Sequence, residues 1–304
     1  MRRTFAYGAF RAMPSAKKPY FREETRKMLC RQQKPCCSDG KMSARKCYIC
    51  TDMRRIISFL MLGVALMTAL LMSSCATTSL LPGKNGAELY FAENELPDLV
   101  KCLPAPPAFG SQEFAYDSLR YFWGKQQRLN AERAAIADRD AKWQLDTVFA
   151  TFNDAFGLKI SADGTPEIHK LLNDAISTIE QIRVQPKAYY HRQRPFEYFN
   201  DHTLTAWEED SLRGEGSYPS GHTIRGWSVA LILSEINPEA AEALYARGWE
   251  YGESRVIVGA HWQSDVDASR AAASIGYSKL QTSKEYHRQV EKARVEYLKL
   301  KGVK

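Results

Sequence analysis

Residues 216–237 read GSYPSGHTIRGWSVALILSEIN, a polar stretch that runs directly into an apolar helical segment. A helix start needs only a capping residue and at most a first-turn proline. This one adds Gly216 and Gly221, which permit close approach to the backbone, and His222. A helix that begins near Gly221 or His222 would aim free N–H groups at an anion, with His222 beside it as a proton donor. An ordinary helix cap with a surface histidine fits this stretch equally well when it is taken alone.

The rest of the body reads as helix after helix from Ser118 onward, with no alternating strand pattern and no internal repeat. Thr165-Pro166 and Asn237-Pro238 each predict a helix start, because a capping residue precedes a first-turn proline. Thr282 and Glu285 have the spacing of a capping box. The helix behind them should bury one face, which carries Tyr286, Val290, Ala293, Tyr297 and Leu300. These patterns predict an all-α fold, a single-domain helical bundle over 111–304 that follows a tether and extended Pro-rich arm at 76–110.

The N-terminal part of the chain has the pattern of a targeting segment. Within 53–75, Arg54-Arg55 precedes a sixteen-residue apolar run, and two serines precede Cys75. This is typical of a bacterial lipoprotein signal peptide whose lipidated residue is Cys75. A short transmembrane anchor is the alternative, but the run falls below the ~20 residues that span a bilayer. We therefore expect Met53 to be the working start and residues 1–52 to be an upstream extension, in which the C-x2-C pair of Cys47 and Cys50 does not indicate zinc.

The charge of the chain resides in that leader. Residues 1–55 carry 15 Lys and Arg against 4 Asp and Glu, whereas 76–304 carry 27 against 31, so the formal charge of +7 arises upstream of the body. The body has no polycationic face that would indicate nucleic-acid binding. After cleavage only Cys75 and Cys102 remain, so the exported body has no disulfide framework.

Two further clusters carry side chains suited to an anion. Lys187 and Arg194 are seven residues apart, so on one helix they would lie on nearly the same face. His261 and Asp265 have i, i+4 spacing on a predicted helix, where the carboxylate fixes the ring tautomer and leaves the other nitrogen basic. Arg255 supplies a planar fork for phosphate oxygens. Taken alone, the Lys187 and Arg194 pair also fits a solvated basic face, and the His261 and Asp265 pair also fits a structural hydrogen bond.

Taken in order, the three clusters form the pattern Lys-x6-Arg-Pro, Pro-Ser-Gly-His and Ser-Arg-x5-His-x3-Asp. All eleven fixed positions resemble the phosphatase signature shared by type 2 phosphatidic acid phosphatases, vanadium haloperoxidases and bacterial non-specific acid phosphatases. From about residue 100 to the C-terminus the chain resembles the class A members of the last group. The similar stretches are RPFEYF, GSYPSGHT, ILSEINP, GESRVIVGAHWQSDVDASR, LPAPPAFGS and PEIHKLL. The resemblance implies an all-α fold of the acid phosphatase/vanadium haloperoxidase type.

The resemblance also implies which residues bind phosphate. Lys187, Arg194 and Arg255 would hold the phosphate oxygens, and Ser220 and Gly221 would complete the cradle at the helix start. Phosphoryl transfer requires such stabilisation of the equatorial oxygens. Because three cationic side chains supply it, no metal and no cofactor are expected.

The chemical steps are implied in the same way. His261 would attack phosphorus and become a phosphohistidine, and Asp265 would orient it. His222 would protonate the leaving alcohol and then activate water, since a poor alkoxide leaving group needs an acid. In one respect the chain departs from class A members that carry a cysteine pair in the catalytic half. Val258 stands at one of those positions and no cysteine follows Cys102, so that disulfide should be absent.

The predicted activity is hydrolysis of a broad range of small phosphate monoesters by an exported, periplasmic acid phosphatase. Outer-membrane attachment through the lipid is favoured, and the resemblance implies a homodimer. Three alternatives are a vanadate-dependent haloperoxidase, a membrane-tethered lipid phosphatase of the same superfamily and a non-catalytic surface lipoprotein.

Overall fold

Helices make up most of residues 80–302, the part of the chain that the computed structural model describes. The expectations for 1–52, 53–75 and Cys75 lie outside these residues. The α-helices are α1 Leu99–Cys102, α2 Gln112–Gln127, α3 Ala131–Asp140, α4 Leu145–Ala150, α5 Asn153–Phe156, α6 Pro166–Ile179, α7 Val184–Tyr190, α8 Pro195–Tyr198, α9 Ala206–Leu212, α10 Gly221–Ile236, α11 Ala241–Val258, α12 Gln263–Leu280 and α13 Lys284–Lys301. Two short strands, β1 Leu81–Pro82 and β2 Glu88–Leu89, pair antiparallel. The predicted all-α fold is confirmed.

Helix α10 is the central element of the bundle. It begins at Gly221, as predicted, and Ser220 caps it by accepting a hydrogen bond from the Thr223 N–H at 3.3 Å. Most of its residues are buried against α6, α11, α12 and α13, as expected for a helix that is apolar on every side. A side chain on Gly226 would overlap the ring of Tyr251 in α11, so these two helices cross at a distance that only glycine allows.

Two predicted helix starts differ in detail from the structure. Thr165 is the N-cap residue of α6, but its hydroxyl donates to the Ser161 carbonyl instead of capping the helix. Asn237 precedes a 3-10 turn, Pro238–Ala240, and α11 begins only at Ala241.

The start and the end of α13 were predicted wrongly. Ser283, not Thr282, caps the helix, because its hydroxyl accepts the Tyr286 N–H at 3.2 Å. The predicted Thr282–Glu285 capping box therefore does not form. Leu300 is 47% exposed, so the buried face of this helix ends before it. Both errors concern helix ends, whose positions depend on side-chain packing and not on the periodicity of apolar residues.

The described part of the predicted tether and arm, 80–110, is docked on the helices. Tyr90 and Leu99 are buried in the main core, and the Tyr90 N–H donates to the Thr178 hydroxyl at 3.0 Å. The Tyr218 hydroxyl donates to the Pro104 carbonyl at 2.6 Å, which fixes the Pro-rich stretch beside the motif of residues 216–222. Within 80–302, no helix combines the length and the apolar character needed to cross a bilayer.

Candidate active site

Lys187 and Arg194 do not share a helix, contrary to the prediction from their spacing. Helix α7 ends at Tyr190, and His191 takes a left-handed conformation with φ 42° that turns the chain. Arg194 then lies at the N-terminus of α8. The two side chains are nevertheless brought together, because both line one cavity.

This cavity has a volume of about 270 Å³. Five of the predicted site residues line it, namely Lys187, Arg194, Gly221, His222 and His261. Three others, Ser220, Arg255 and Asp265, are buried but are not among the described residues that line it. The remaining lining residues are Ala141, Trp143, Arg183, Trp207, Glu208, Ser211, Leu212 and Glu215.

His261 lies just before α12, so the prediction that His261 and Asp265 share one helical face was wrong. The pair still forms, because Asp265 folds back to accept the Trp262 N–H at 2.9 Å. Its Oδ2 is then 3.5 Å from Nδ1 of His261. On the other side of the ring, Nη1 of Arg194 lies 3.1 Å from Nε2. A guanidinium can only donate, so Nε2 is unprotonated and Nδ1 carries the hydrogen. Nε2 therefore carries the basic lone pair of the ring, which can attack phosphorus once an incoming phosphate takes over the Arg194 donor.

A buried network behind Asp265 was missed by the sequence analysis. The Ser217 hydroxyl donates to Oδ2 of Asp265, and Nη1 of Arg192 donates to Oδ1 at 2.5 Å. Nη2 of Arg192 donates to Asp117 at 2.7 Å. These contacts fix the Asp265 carboxylate in place and supply the partners that a buried carboxylate needs. Ser217 stands within the quoted motif, but no spacing in the sequence connects it with Asp117.

His222 lies at the start of α10 with its ring in the cavity wall. Its Nε2 is 2.9 Å from the Ala141 carbonyl, which can only accept, so Nε2 carries a hydrogen. Burial, and then the charge of Arg255, hold the pKa of His222 well below its usual range. Burial and then Arg194 do the same to the pKa of His261. Both rings therefore favour the neutral form at pH 7.

The cationic side chains are held by carboxylates that the sequence analysis did not identify. Glu208 forms an ion pair with Arg255, with Nη1–Oε1 at 3.0 Å and Nη2–Oε2 at 3.2 Å. Glu215 lies 3.5 Å from Nζ of Lys187 and 3.4 Å from Nη2 of Arg194. Nε of Arg255 is buried with no hydrogen-bond partner among the described residues. An anion in this cavity would meet Lys187 and Arg194 directly, and the buried Arg255 behind them has an unused donor.

The two glycines of the motif have different uses. A Cβ on Gly216 would lie 2.5 Å from the carbonyl oxygen of Lys187, so this glycine makes room for the backbone of α7. The expectation that Gly216 makes room for a ligand was wrong. The Lys187 ammonium in turn donates to the Gly216 carbonyl. Gly221 does line the cavity, at the first residue of α10. The close approach at Gly216 thus fixes Lys187 in place.

Comparison with known proteins indicates the family of the chain. A family model described as the PAP2 superfamily matches residues 171–278, which include all eight predicted active-site residues. The chain is 43% identical over 216 residues to the non-specific acid phosphatase of Providencia stuartii, covering 70% of this chain and 87% of that protein. It is 40% identical over 195 residues to the non-specific acid phosphatase of Salmonella typhimurium, covering 64% and 78%. The acid phosphatase of Zymomonas mobilis is 35% identical over 199 residues, covering 66% and 75%.

The chain belongs to the class A non-specific acid phosphatases of the PAP2 superfamily. This acid phosphatase is a phosphoric monoester hydrolase, as predicted from the motifs. Within 80–302, the phosphatase has no group of three or more His, Cys, Asp or Glu side chains placed to hold a metal ion. Cys102, the cysteine in this part of the phosphatase, is exposed and free.

Proposed function

We propose that this phosphatase hydrolyses a broad range of phosphate monoesters by two successive displacements, through a phosphohistidine at Nε2 of His261. The observation that supports this most directly is the pair of contacts on the His261 ring. Arg194 donates to Nε2, which identifies Nε2 as the nitrogen with the lone pair, and it lines the same cavity as His261. Asp265 lies on the Nδ1 side, and an orienting carboxylate in that position activates a histidine nucleophile.

In the first step, the lone pair of Nε2 forms the bond to phosphorus while the bond from phosphorus to the ester oxygen breaks. His222 donates its proton to that oxygen, so an alcohol leaves. In the second step, His222 takes a proton from water, the water oxygen bonds to phosphorus, and the N–P bond breaks to release inorganic phosphate and regenerate His261. Asp265 stabilises the positive charge that develops on the ring in the first step.

The cradle acts on the transferring group through both steps. Lys187, Arg194 and Arg255 neutralise the charge on its equatorial oxygens. Ser220 and Gly221 contribute N–H groups at the start of α10, where first-turn donors have no partner within the helix. Capture of the phosphoenzyme by rapid quenching with labelled substrate, followed by peptide mapping, tests the proposal. Label on His261 supports it, whereas label on Ser220 or His222 contradicts it.

Activity should not depend on a divalent cation. The charge that a metal would supply comes from Lys187, Arg194 and Arg255, so EDTA should leave the rate unchanged. Vanadate can adopt the geometry of the transferring phosphoryl group and should inhibit, with an inhibition constant at least about 10² below KM, because transition-state analogues bind more tightly than substrates. Loss of activity in chelator that added magnesium or zinc restores would contradict this mechanism.

Phosphate affinity should fall as the pH rises through the pKa of Lys187. Burial, and then the neighbouring Arg194, lower this pKa to about 7. An anion binds the ammonium form, so this contribution is present below that pH and lost above it. The inhibition constant of sulfate, which stays dianionic, should rise by up to ~10-fold per pH unit above the pKa of Lys187. The Lys187→Arg variant keeps its charge, so its sulfate inhibition should be nearly independent of pH. A flat profile for the unmodified enzyme would rule out a binding role for Lys187.

We further propose that the phosphatase is exported to the periplasm, anchored through a lipid on Cys75 and active as a homodimer. The basic, apolar and small-residue segments of 53–75 support the anchor. Because Ala76 and not an acidic residue follows Cys75, we favour the outer membrane. The Cys75→Ala variant should move the activity out of the membrane fraction, and equal membrane attachment of both proteins would contradict the anchor.

A further inference from the structure

Two tryptophans share the cavity with the phosphate-binding cations. Trp143 follows α3 and Trp207 lies in α9, and both line the same 270 Å³ space as Lys187, Arg194 and His261. A substrate whose phosphate contacts the cations must place its leaving group against the rest of the wall. Ala141 and Leu212 join the two tryptophans in the apolar portion of that wall, whereas Ser211 and the charged side chains form the polar portion. The cavity thus has a charged part and an aromatic part.

Trp143 identifies the side on which the leaving group lies. Its ring centroid is 4.6 Å from that of His222. Because His222 is the proposed acid for the ester oxygen, the group attached to that oxygen lies next to His222 and so next to Trp143. Trp143 is itself held in place, since the Arg225 guanidinium stacks over its ring at 3.3 Å. It therefore forms a fixed wall of the leaving-group side.

Trp207 has a free aromatic face. The residue is 59% exposed, although its indole N–H donates to Asp138 at 3.2 Å and so fixes the ring. Within 80–302, neither an aromatic ring nor a cation stacks on it, whereas Trp143, Trp227 and Trp249 all have such partners. A held, unstacked indole at the mouth of a cavity is suited to a flat ring, because aromatic pairs gain energy beyond simple burial.

We propose that Trp207 and Trp143 form a leaving-group subsite that selects phosphate monoesters with an aromatic ring in the leaving group. This inference rests on the proposed function, because His222 defines the leaving-group side. The ring stacks on Trp207 with its edge towards Trp143, while the phosphate lies among the cations. Aryl-alkyl and nucleoside phosphates carry such a ring, and simple sugar or glycerol phosphates do not.

The test compares two esters that differ only in the ring. For 2-phenylethyl phosphate and 2-cyclohexylethyl phosphate the leaving alkoxides are nearly equal in basicity, so the chemical step is matched. The unmodified enzyme should favour the phenyl ester in kcat/KM by about 3- to 10-fold, the scale of a favourable aromatic pair. The Trp207→Ala variant should reduce this ratio to near one, and Trp207→Phe should keep part of it. Because the ratio is taken within each variant, a general loss of activity cancels.

Trp249→Ala is the matched control. Trp249 is 53% exposed, stacks with Arg270 and lies outside the cavity, so its removal should leave both the ratio and the activity unchanged. A ratio near one in the unmodified enzyme, or a ratio that Trp207→Ala does not alter, would overturn the subsite. In both of these cases the esters are still hydrolysed through labelled His261, so the proposed function stands. Absence of label on His261 would instead refute the proposed function.

Discussion

The His261→Ala variant should lose turnover on every phosphate monoester. Removing a covalent nucleophile costs on the order of 10⁶ in kcat in hydrolases where it has been measured, because binding and charge stabilisation alone give little rate. Arg194, Lys187 and Arg255 remain, so the variant should still bind phosphate and vanadate. Steady-state kinetics should show the loss in kcat, and rapid quenching should capture no phosphoenzyme.

A second histidine provides the control for this variant. His287 is exposed on α13, away from the cavity, with Nε2 at 2.9 Å from the Gln281 carbonyl. His287→Ala should keep full activity and full labelling. Circular dichroism and vanadate binding would show that His261→Ala is folded. If a folded His261→Ala protein still turns over, or still accepts label, another residue is the nucleophile.

The His222→Ala variant should separate alkyl from aryl phosphates. General acid catalysis is worth about 10²–10⁴-fold, so release of an alkoxide should slow by that factor. Release of p-nitrophenolate needs no proton and should slow less. Since water attack on the phosphohistidine also needs His222, p-nitrophenyl phosphate should give a burst of product and then a slow phase, with labelled His261 accumulating. Stopped-flow absorbance measures the burst of product, and quenched labelling measures the accumulation of labelled His261.

The pH dependence of the rate also follows from His222. Burial and Arg255 lower the pKa of His222, so its protonated, acidic form is populated only as the pH falls. His261 must be neutral to attack, and its own lowered pKa keeps it neutral well into the acid range. A bell-shaped profile with its optimum below neutrality should result. An equal fall in the first-turnover rate for alkyl and aryl esters in His222→Ala would remove His222 from the acid role.

Much of the site could be predicted because its chemistry lies in short motifs. Lys187, Arg194, His222 and His261 line one cavity, as the three clusters together indicated. The local geometry was less predictable. Nothing in the sequence marks the left-handed turn at His191 that breaks the helix between Lys187 and Arg194. The argument that the two residues share a helical face was therefore wrong, although both side chains do line one cavity.

The residues that the sequence did not indicate act through tertiary contacts. Asp117 reaches Arg192, and Glu208 reaches Arg255, across long stretches of chain that no periodicity relates. Helix ends were also uncertain by one to three residues, as at Ser283 and Ala241, because side-chain packing decides them.

Glu208 and Glu215 make the cavity behave as an ion exchanger. An incoming phosphate does not meet bare cations, because these carboxylates already hold Arg255, Arg194 and Lys187. The net affinity for phosphate is therefore the difference in free energy between the cation–phosphate pairs and the cation–carboxylate pairs that they replace. Without phosphate, these ion pairs spare the protein the cost of unpaired buried charges. Such a site binds the anion less tightly but releases inorganic phosphate more readily. This suits an enzyme that must turn over in the presence of its product.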